Sequence, residues 1–401
     1  MMLKDTLREV VRSQRKDLDS SEYGVEREML GEIDLAIPFA VVLSGVRRCG
    51  KSTLLRQLAK KVVHYYFNFE DSRVAGFEPS DFQKLDDVLH DEFGERGYYF
   101  FDEIQNVEKW ELFVRAGLDK SKKFVITGSN ASLLSRELGT RLTGRHLRHE
   151  LFPFSFKEFL ALEGKKPGVN AFDEYLRLGG FPAYLRFGKQ NILRELLNDV
   201  IERDILARHS IRDSKTVKEL ALHLLTNSGK EFSYTGLKNS FGLGSTNTAI
   251  SFVSFLEDSY LLFTVPRFEY SLKKQRVNPK KAYSVDTGLS AANSASFSAD
   301  SGRALENAVF LHLRRKHREI FYFKRKGECD FIARENKLAA FQACYELTED
   351  NKERELNGLV EALTELKLAS GLLITRDQTD SFTVGGKKIT VVPAWKWMLE
   401  S

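Results

Sequence analysis

Several features that define whole classes of protein are missing from this sequence. It has only three cysteines in 401 residues, which is too few for a disulfide framework, and their number and types do not suggest a zinc site. No stretch approaches the roughly 18 apolar residues that a membrane-spanning helix requires. Residues 1–17 alternate charged and single apolar side chains, unlike the apolar core of a signal peptide. We therefore expect a cytoplasmic protein without membrane contact.

A strong excess of one charge is also missing, because the net charge is only +5. Positive charge is nevertheless concentrated in two stretches. Six Lys or Arg and one Glu lie between Pro266 and Lys281, and seven Lys or Arg, two His and one Glu lie between Leu311 and Lys326. Such stretches either bind nucleic acid phosphates or form an ordinary solvated surface, and the pattern alone favours neither.

The first part of the chain alternates helical and strand-like segments. Residues 2–16 predict a helix, and strands are predicted at Ile37–Ser44, His64–Phe69, Tyr98–Phe101 and Lys123–Thr127. Strands that alternate with helical segments indicate an α/β domain with a parallel sheet and crossover helices. Functional residues are then expected at the carboxyl ends of the strands.

A phosphate-binding loop is predicted directly after the first strand. The pattern GxxxxGK[ST] and the residue after it cover Gly45, Val46, Arg47, Arg48, Cys49, Gly50, Lys51, Ser52 and Thr53. The glycines let backbone N–H groups curl around phosphates, while Lys51 would contact the β- and γ-phosphates of ATP. The Ser52 hydroxyl would bind Mg²⁺, and the following helix directs its positive end at the anion.

Two carboxylates end the predicted strand that begins at Tyr98. Asp102 would hold Mg²⁺ through water, and Glu103 would polarise the attacking water. The next strand ends near Ser129 and Asn130, one of which would orient water beside the γ-phosphate; Asn130 is the catalytic candidate, and a structural turn is the alternative. Together with the loop about 50 residues upstream, these strand ends predict a Mg²⁺-dependent ATPase.

An arginine that contacts the γ-phosphate of a neighbouring subunit would complete such a site. Arg145 is the first candidate and Arg141 the second, both in the glycine-rich segment LGTRLTGR. The alternative for each is an ordinary surface arginine. An arginine acting between subunits requires a homo-oligomer, at least a dimer.

The pattern changes after about Leu151. Residues 153–210 predict helices with a break at Gly179–Pro182, and three further helices are predicted to begin at Ser214, Ser233 and Ser245, each with a serine cap. Three short helices with a strand-like hairpin favour a winged helix. Its third helix is largely apolar, so we expect contact with the DNA backbone rather than base recognition. The predicted domains are 1–150 (ATPase), 151–210 (helical linker), 211–285 (winged helix) and 286–401 (small α/β).

The whole chain resembles a large family of bacterial and archaeal AAA+ ATPases with a C-terminal winged helix and a PD-(D/E)XK-nuclease-like domain. The segments that carry the resemblance are SGVRRCGKSTLL, YYFFDEIQNVEKWE, FVITGSNASLLS, RLTGRHLRHELFPFSFKEFL, YLRLGGFPAYL, KKAYSVDTGL, GRALENAVFLHL and GECDFIA. The first three are specific to nucleotide hydrolysis. In this family the polar residue of TGSN maps to Asn130, and the arginine of the RLTGR stretch maps to Arg145 or Arg141.

The resemblance implies three nuclease-type positions in the last domain, namely Glu306 on a helix, Asp330 near a strand and Gln342 on the next strand. Cys344 stands where the nuclease pattern needs a lysine, and Lys324 or Lys326 is a conceivable substitute. A cysteine cannot supply the positive charge that stabilises the developing phosphate charge. We therefore expect an inactive nuclease remnant.

Three functions remain open at this point. The first is an ATPase that couples hydrolysis to binding or remodelling of DNA. The second is a signalling or defence switch in which ATP controls a protein partner, and the third is an ATP-gated DNA nuclease.

Overall fold

Residues 1–20, 24–129, 144–294 and 300–400 are described by the structure, a computed structural model. The chain divides into two units, Met1–Leu151 and Phe152–Ser401. The finer domain bounds at residues 210 and 285 stay predictions. Among the described residues, none of the helices combines the length and apolar character that crossing a bilayer demands.

A parallel five-stranded sheet forms the centre of the first unit. Its strands are β1 Ala40–Ser44, β2 His64–Asn68, β3 Tyr98–Asp102, β4 Phe124–Gly128 and β5 His146–Glu150. They lie in the order β2-β3-β4-β1-β5, and every neighbouring pair is parallel. The four predicted strands are confirmed, whereas β5 was not predicted, because this edge strand is polar and only partly buried. The carboxyl ends of all five strands form one edge of the sheet.

Four helices of the described residues accompany this sheet: α1 Lys4–Ser20, α2 Lys51–Ala59, α3 Phe82–Phe93 and α4 Trp110–Asp119. The core is aromatic, and its fully buried side chains include Tyr65, Phe67, Tyr99, Phe101 and Phe124. Large rings on neighbouring strands pack closely, as the 5.0 Å between the Tyr99 and Phe124 ring centroids shows. This packing fixes the strands whose ends carry the polar residues of interest.

The second unit begins with helices. Their bounds are α5 Phe156–Glu163, α6 Val169–Leu178, α7 Pro182–Phe187 and α8 Asn191–Asp199, which continues through a π-helical stretch, Val200–Leu206, into Ala207–His209. The predicted break is confirmed, since α6 ends at Leu178 and α7 starts at Pro182. Proline suits the first helical position because its missing N–H has no partner there.

A small antiparallel sheet and its helices follow: α9 Ser214–Thr226, β6 Glu231–Phe232, α10 Tyr234–Ser240, α11 Thr246–Asp258, β7 Leu262–Pro266, α12 Leu272–Val277, β8 Lys280–Ser284 and α13 Thr287–Asn293. Strand β8 lies between β6 and β7. Ser233 and Ser245 cap α10 and α11 as predicted. The predicted Ser214 cap is wrong, because the carboxylate of Asp213 accepts the hydrogen bond from Thr216 N instead.

The last region is a six-stranded mixed sheet with helices: α14 Ser301–Lys316, β9 Glu319–Lys324, β10 Glu328–Arg334, β11 Leu338–Ala343, α15 Glu349–Glu365, β12 Ser370–Thr375, β13 Asp380–Val384, β14 Lys387–Pro393 and α16 Ala394–Glu400. The strand order is β13-β14-β12-β11-β10-β9. From about residue 300 the sequence predicts a helix, three strands, a helix and one strand, whereas the structure has three strands after α15. The missed β13–β14 hairpin turns at Gly385 and Gly386, both with positive φ.

Segments that the sequence identified only as marks of resemblance meet in the second unit. The backbone of Gly180 contacts that of Phe154, whose N–H donates to Gly180 O at 2.7 Å. The buried carboxylate of Asp286 accepts from Gly180 N at 2.6 Å and from Leu289 N at 2.8 Å. A Cβ on Gly288 would lie 2.0 Å from Leu178 O. We call these residues the glycine–aspartate junction; it holds α5, α6 and α13 together.

Candidate functional site

The phosphate-loop sequence forms a tight turn between β1 and α2. Gly45 has a φ of 152°, and a Cβ there would lie 2.1 Å from Leu151 O, so only glycine fits. Val46 and Cys49 are buried, whereas Arg48 is exposed with a φ of 63°. Burial raises the pKa of the Cys49 thiol above its ordinary value, so this cysteine is a packing residue of the loop.

The lysine of the loop is buried inside it. Lys51 Nζ lies 3.1 Å from Gly45 O, 3.2 Å from Val46 O and 3.8 Å from Glu103 Oε1. A second buried cation, Arg27, donates from Nη1 to Cys49 O at 2.8 Å. The sequence did not point to Arg27, which lies 22 residues before Cys49 and belongs to no local pattern.

The two predicted metal-binding residues are in contact. Ser52 hydrogen bonds to the buried carboxyl of Asp102, which also accepts from Thr127 Oγ1 and, at 3.2 Å, from the Tyr66 hydroxyl. Burial raises the pKa of Asp102 above its ordinary value and the charge of Glu103 adds to this, while the hydrogen bonds from Thr127 and Ser52 oppose it. A carboxylate and a hydroxyl side by side are ligands that suit Mg²⁺.

Glu103 occupies a strained backbone position at the end of β3. Its φ is 51°, in a region that non-glycine residues rarely adopt and that is frequent at functional sites. Thr127 Oγ1 accepts from Glu103 N at 2.9 Å, and Gln105 Nε2 donates to Glu103 Oε2. The same Gln105 nitrogen lies 3.5 Å from Ser129 Oγ. Thr127 and Gln105 therefore position Glu103, and the sequence identified neither.

The residues present fit a nucleoside triphosphate with its metal. Lys51 supplies a cation, Ser52 and Asp102 supply hard oxygen ligands, and Glu103 supplies a carboxylate close to them. Bound Mg²⁺ would neutralise phosphate charge. The side chains of this chain would orient the phosphates and would place a carboxylate beside the attacking water.

The remaining predicted catalytic residues are Asn130, Arg141 and Arg145. Asn130 and Arg141 lie outside the described residues. Arg145 is described; it is exposed, forms an ion pair with Asp119 and lies just before β5. Because Ala40 pairs with His146, Arg145 lies at the amino end of the parallel sheet, roughly 15 Å along the strands from the phosphate loop. It cannot serve the γ-phosphate of its own chain from there.

A second cluster lies in the second unit and unites the three nuclease-type positions. Asp330 N donates to Gln342 Oε1 at 3.1 Å, and Glu306 and Asp330 share one partner, Lys281. The Lys281 Nζ lies 3.0 Å from each of these two carboxylates. Burial raises the pKa of Glu306 to about 7, and the charge of Asp330 acts in the same direction. We call Lys281, Glu306, Glu328, Asp330 and Gln342 the carboxylate cluster.

The lysine at the centre of this cluster is neither of the suggested substitutes, Lys324 and Lys326. Lys324 contacts Glu328 and Glu231 at the rim, and the lysine at the centre is Lys281 of β8. Lys281 precedes Asp330 by 49 residues, so no spacing rule could have connected them. Cys344 is a buried free thiol whose pKa burial raises to about 11.

The two basic stretches differ in how much charge they present. In the second stretch, several cations have internal partners: Arg315 donates to Pro153 O, Lys324 contacts Glu231, and Arg325 contacts Glu269 and Glu365. In the first stretch, residues 270–277 are largely exposed. We call this segment, with its exposed Lys273, Lys274 and Arg276, the basic tip.

Comparison with known proteins agrees with the geometry of the first unit. Residues 38–160 match the family described as "AAA domain", and residues 169–300 match a domain of unknown function. The chain is 35% identical over 422 residues to the uncharacterized protein MJ1544 of Methanocaldococcus jannaschii, covering 95% of this chain and 94% of that protein. It is 30% identical over 380 residues to an uncharacterized protein of Haemophilus influenzae, covering 89% and 94%.

Among solved structures, the Walker-type ATPase PABY2304 of Pyrococcus abyssi is 15% identical, with a TM-score of 0.40, and the match covers 71% of this chain and 94% of that one. A likeness of that size does not bear on function. The AAA match covers the segment that contains Lys51, Asp102 and Glu103, and the two relatives match almost the whole chain. Residues 38–160 form an AAA domain, and the chain as a whole belongs to one family with these archaeal and bacterial relatives.

Proposed function

We propose that this protein is a Mg²⁺-dependent ATPase in which Ser52 and Asp102 hold the metal, Lys51 contacts the β- and γ-phosphates, and Glu103 activates water. The observation that carries the proposal is the convergence of these four side chains at the carboxyl edge of the parallel sheet. Lys51 lies 3.8 Å from Glu103, and Ser52 hydrogen bonds to Asp102. Residues about 50 positions apart meet where a triphosphate and its metal would need them.

We further propose that hydrolysis is coupled to nucleic acid binding or remodelling, with the winged-helix assignment of residues 211–285 kept as part of this proposal. The basic tip supports it, because Lys273, Lys274 and Arg276 are exposed. The one acidic residue of the stretch, Glu269, is paired with Arg325 and Arg267. Phosphate contacts by such cations give affinity without sequence preference. Helix α11 buries Phe252, Val253 and Leu256, which fits backbone contact rather than base recognition.

The test is the salt dependence of binding to a fluorescent duplex DNA. Replacing Lys273, Lys274 and Arg276 with alanine together should weaken binding and lower the slope of log K against log salt by about 2–3, because roughly 0.9 counterions are released for each phosphate neutralised. The matched control removes three exposed lysines elsewhere, Lys166, Lys189 and Lys388, and should leave the slope unchanged. Absence of binding by the wild type at low salt would remove DNA from the proposal.

A specific observation favours a protein partner as the second candidate. The basic tip also exposes Tyr270, Leu272 and Val277, at 75%, 74% and 73% of their surface. Exposed apolar and aromatic side chains beside cations are typical of protein interfaces with an acidic partner. ATP hydrolysis that ignores DNA, together with ATP-dependent binding of one protein that a Tyr270→Ala/Leu272→Ala variant loses, would replace DNA with that partner.

A further inference from the structure

Lys281 is an unusual lysine because it is almost completely buried among carboxylates. Its side chain is 3% exposed, and Nζ lies 2.8 Å from Glu328 Oε1, 3.0 Å from Glu306 Oε1 and 3.0 Å from Asp330 Oδ1. An ammonium group has three N–H donors and no acceptor. Each donor therefore has a different carboxylate partner, and the charge of Lys281 is fully committed inside the cluster.

Three further donors contact these carboxylates. The Tyr283 hydroxyl donates to Glu306 Oε1 at 2.6 Å, Ala343 N donates to Asp330 Oδ2 at 3.1 Å, and Lys324 lies 3.1 Å from Glu328 Oε2. A metal at this cluster would have to compete with all of them. Burial of an unpaired carboxylate is expensive, so these donors account for how three acidic side chains coexist here.

At the third nuclease-type position, both polar atoms of the Gln342 amide have hydrogen-bond partners. Gln342 Nε2 donates to Glu355 Oε2 at 2.7 Å, and its oxygen accepts from Asp330 N. Gln342 brings no negative charge, whereas Mg²⁺ is bound mainly through carboxylates and water. In the described part of the chain, no group of three His, Cys, Asp or Glu side chains has a metal-binding arrangement. The residues of the carboxylate cluster do not fit a divalent metal.

A lack of solvent access does not explain why these residues do not fit a divalent metal. A cavity of about 520 Å³ borders Glu306, Glu328, Asp330 and Gln342, so an ion from solvent can reach the carboxylates. The net negative charge is reduced instead, because Lys281 and Lys324 offset two of the three carboxylates of Glu306, Glu328 and Asp330. At the short distances involved, one internal cation greatly weakens the attraction for a second.

We propose that Lys281 is a built-in cation that replaces the divalent metal of the nuclease-like centre, so that the cluster binds no metal and instead fastens strand β8 to strand β10 and helix α14. This inference rests on the proposed assignment of an inactive nuclease-like region. It is independent of the ATPase site, because the cluster residues all belong to the second unit and none of them belongs to the nucleotide site.

The proposal is tested by titrating the full-length chain, without nucleotide, with Mn²⁺ and following free Mn²⁺ by EPR. Wild type and Asp330→Asn should bind Mn²⁺ identically. Lys281→Met removes the internal cation and should gain one site at least about tenfold tighter than any in the wild type. Adding Asp330→Asn to Lys281→Met should abolish that site. The matched control Lys324→Met also removes one positive charge, but leaves Lys281 in place and should gain no site.

The melting temperature gives an independent test of whether Mn²⁺ can take the place of the Lys281 ammonium group. Lys281→Met should melt at a lower temperature than the wild type in EDTA and recover part of the loss in Mn²⁺, whereas Lys324→Met should show no recovery. If Lys281→Met does not fold without metal, refolding in Mn²⁺ or a folded Lys281→Met/Asp330→Asn chain would support the same account.

Two outcomes overturn the proposal. One is wild-type Mn²⁺ binding, or Mn²⁺-dependent nicking of plasmid DNA, that Asp330→Asn removes; the cluster would then be an active metal centre with Lys281 as its lysine. The other is a folded Lys281→Met chain that gains no Mn²⁺ site. Nucleotide hydrolysis measured on the same preparations distinguishes either result from a failure of the ATPase proposal, because hydrolysis does not involve Asp330.

Discussion

At the scale of one residue, Thr127 connects two side chains of the proposed nucleotide site, Asp102 and Glu103. Its hydroxyl donates to Asp102 and accepts from Glu103 N at 2.9 Å. One oxygen therefore orients both the proposed metal ligand and the proposed base. Groups that orient metal ligands typically change metal affinity or activity by 10- to 100-fold when they are removed.

We predict that Thr127→Val lowers kcat for ATP hydrolysis about 10- to 100-fold and raises the Mg²⁺ concentration needed for half-maximal rate. The physical reason is that valine keeps the shape but leaves the Asp102 carboxylate and Glu103 N without their shared partner. Thr127→Ser retains the hydroxyl and should restore most of the rate. A Thr127→Val enzyme with unchanged kcat and Mg²⁺ requirement would show that Thr127 only packs.

Sequence reasoning identified the site residues that share a local pattern and missed those that do not. Lys51 and Ser52 belong to a loop motif, and Asp102 and Glu103 end an apolar strand, so their roles follow from their neighbours. Arg27, Thr127 and Lys281 reach their partners only through the fold. Polar side chains of this kind lie in sequence surroundings that look like any strand or loop.

At the scale of elements, the glycine–aspartate junction explains sequence segments for which no chemistry was apparent. Gly180 and Gly288 lie where backbones approach each other, and a Cβ would lie 2.2 Å from Phe154 O in one case and 2.0 Å from Leu178 O in the other. Asp286 caps α13 and binds Gly180 N. The role of these residues is packing and capping of the helices in the second unit.

We predict that Gly288→Ala destabilises the second unit by about 1–3 kcal/mol, the usual cost of forcing extra volume into a packed site. Backbone, rather than a flexible side chain, must move to admit the methyl group. The matched control is Gly244→Ala, where no atom lies within 4 Å of the added Cβ. Equal urea midpoints for both variants would contradict the close approach.

A pH dependence follows from Asp286, whose pKa burial raises from 3.8 to about 6. Between these values the unfolded chain releases this proton while the folded chain retains it. The contribution of Asp286 to stability is therefore present below about pH 4 and is lost as the pH rises through 6. Relative to wild type, Asp286→Asn should gain roughly 3 kcal/mol between pH 4 and pH 7, since each unit is worth about 1.4 kcal/mol.

The measurement is a urea unfolding series of both chains across this pH range, with the exposed Asp350→Asn as control. The control should track wild type at every pH. A constant difference between wild type and Asp286→Asn from pH 4 to pH 7 would mean that Asp286 does not hold its proton in the folded state.

Element prediction succeeded where periodicity was strong and failed where it was weak. Strands β1 to β4 are apolar or aromatic, and their approximate bounds followed from the sequence. Strand β5 is polar, and β13 exposes most of its side chains, so neither gives an apolar run. The β13–β14 hairpin had a usable signal, the pair Gly385-Gly386 between short alternating segments.

At the scale of the whole molecule, the position of Arg145 has a consequence for assembly. It lies at the amino end of the sheet and contacts Asp119 at the surface, so it can reach a γ-phosphate only on another chain. Exposed ion pairs are worth at most about 1 kcal/mol, so a neighbouring nucleotide could displace Asp119 readily. Our proposal that Arg145 contacts the γ-phosphate of a neighbouring subunit therefore requires an oligomer.

We predict that Arg145→Ala and Glu103→Gln chains complement each other when mixed. The first retains a complete base and lacks the arginine, whereas the second supplies the arginine to its neighbour. ATP hydrolysis by the mixture should exceed the sum of the separate activities and rise with protein concentration. A mixture equal to that sum, or full activity of Arg145→Ala alone, would exclude Arg145 as a finger acting between subunits.

The most direct test of the central claim is steady-state ATP hydrolysis with Mg²⁺, measured together with equilibrium nucleotide binding. Wild type should bind and hydrolyse ATP, and Lys51→Ala should lose both. Glu103→Gln should bind ATP normally and hydrolyse it about 10²- to 10⁴-fold more slowly, the usual contribution of a positioned base. A wild-type chain that binds ATP without hydrolysing it, or a Glu103→Gln chain as fast as wild type, would contradict the catalytic assignment.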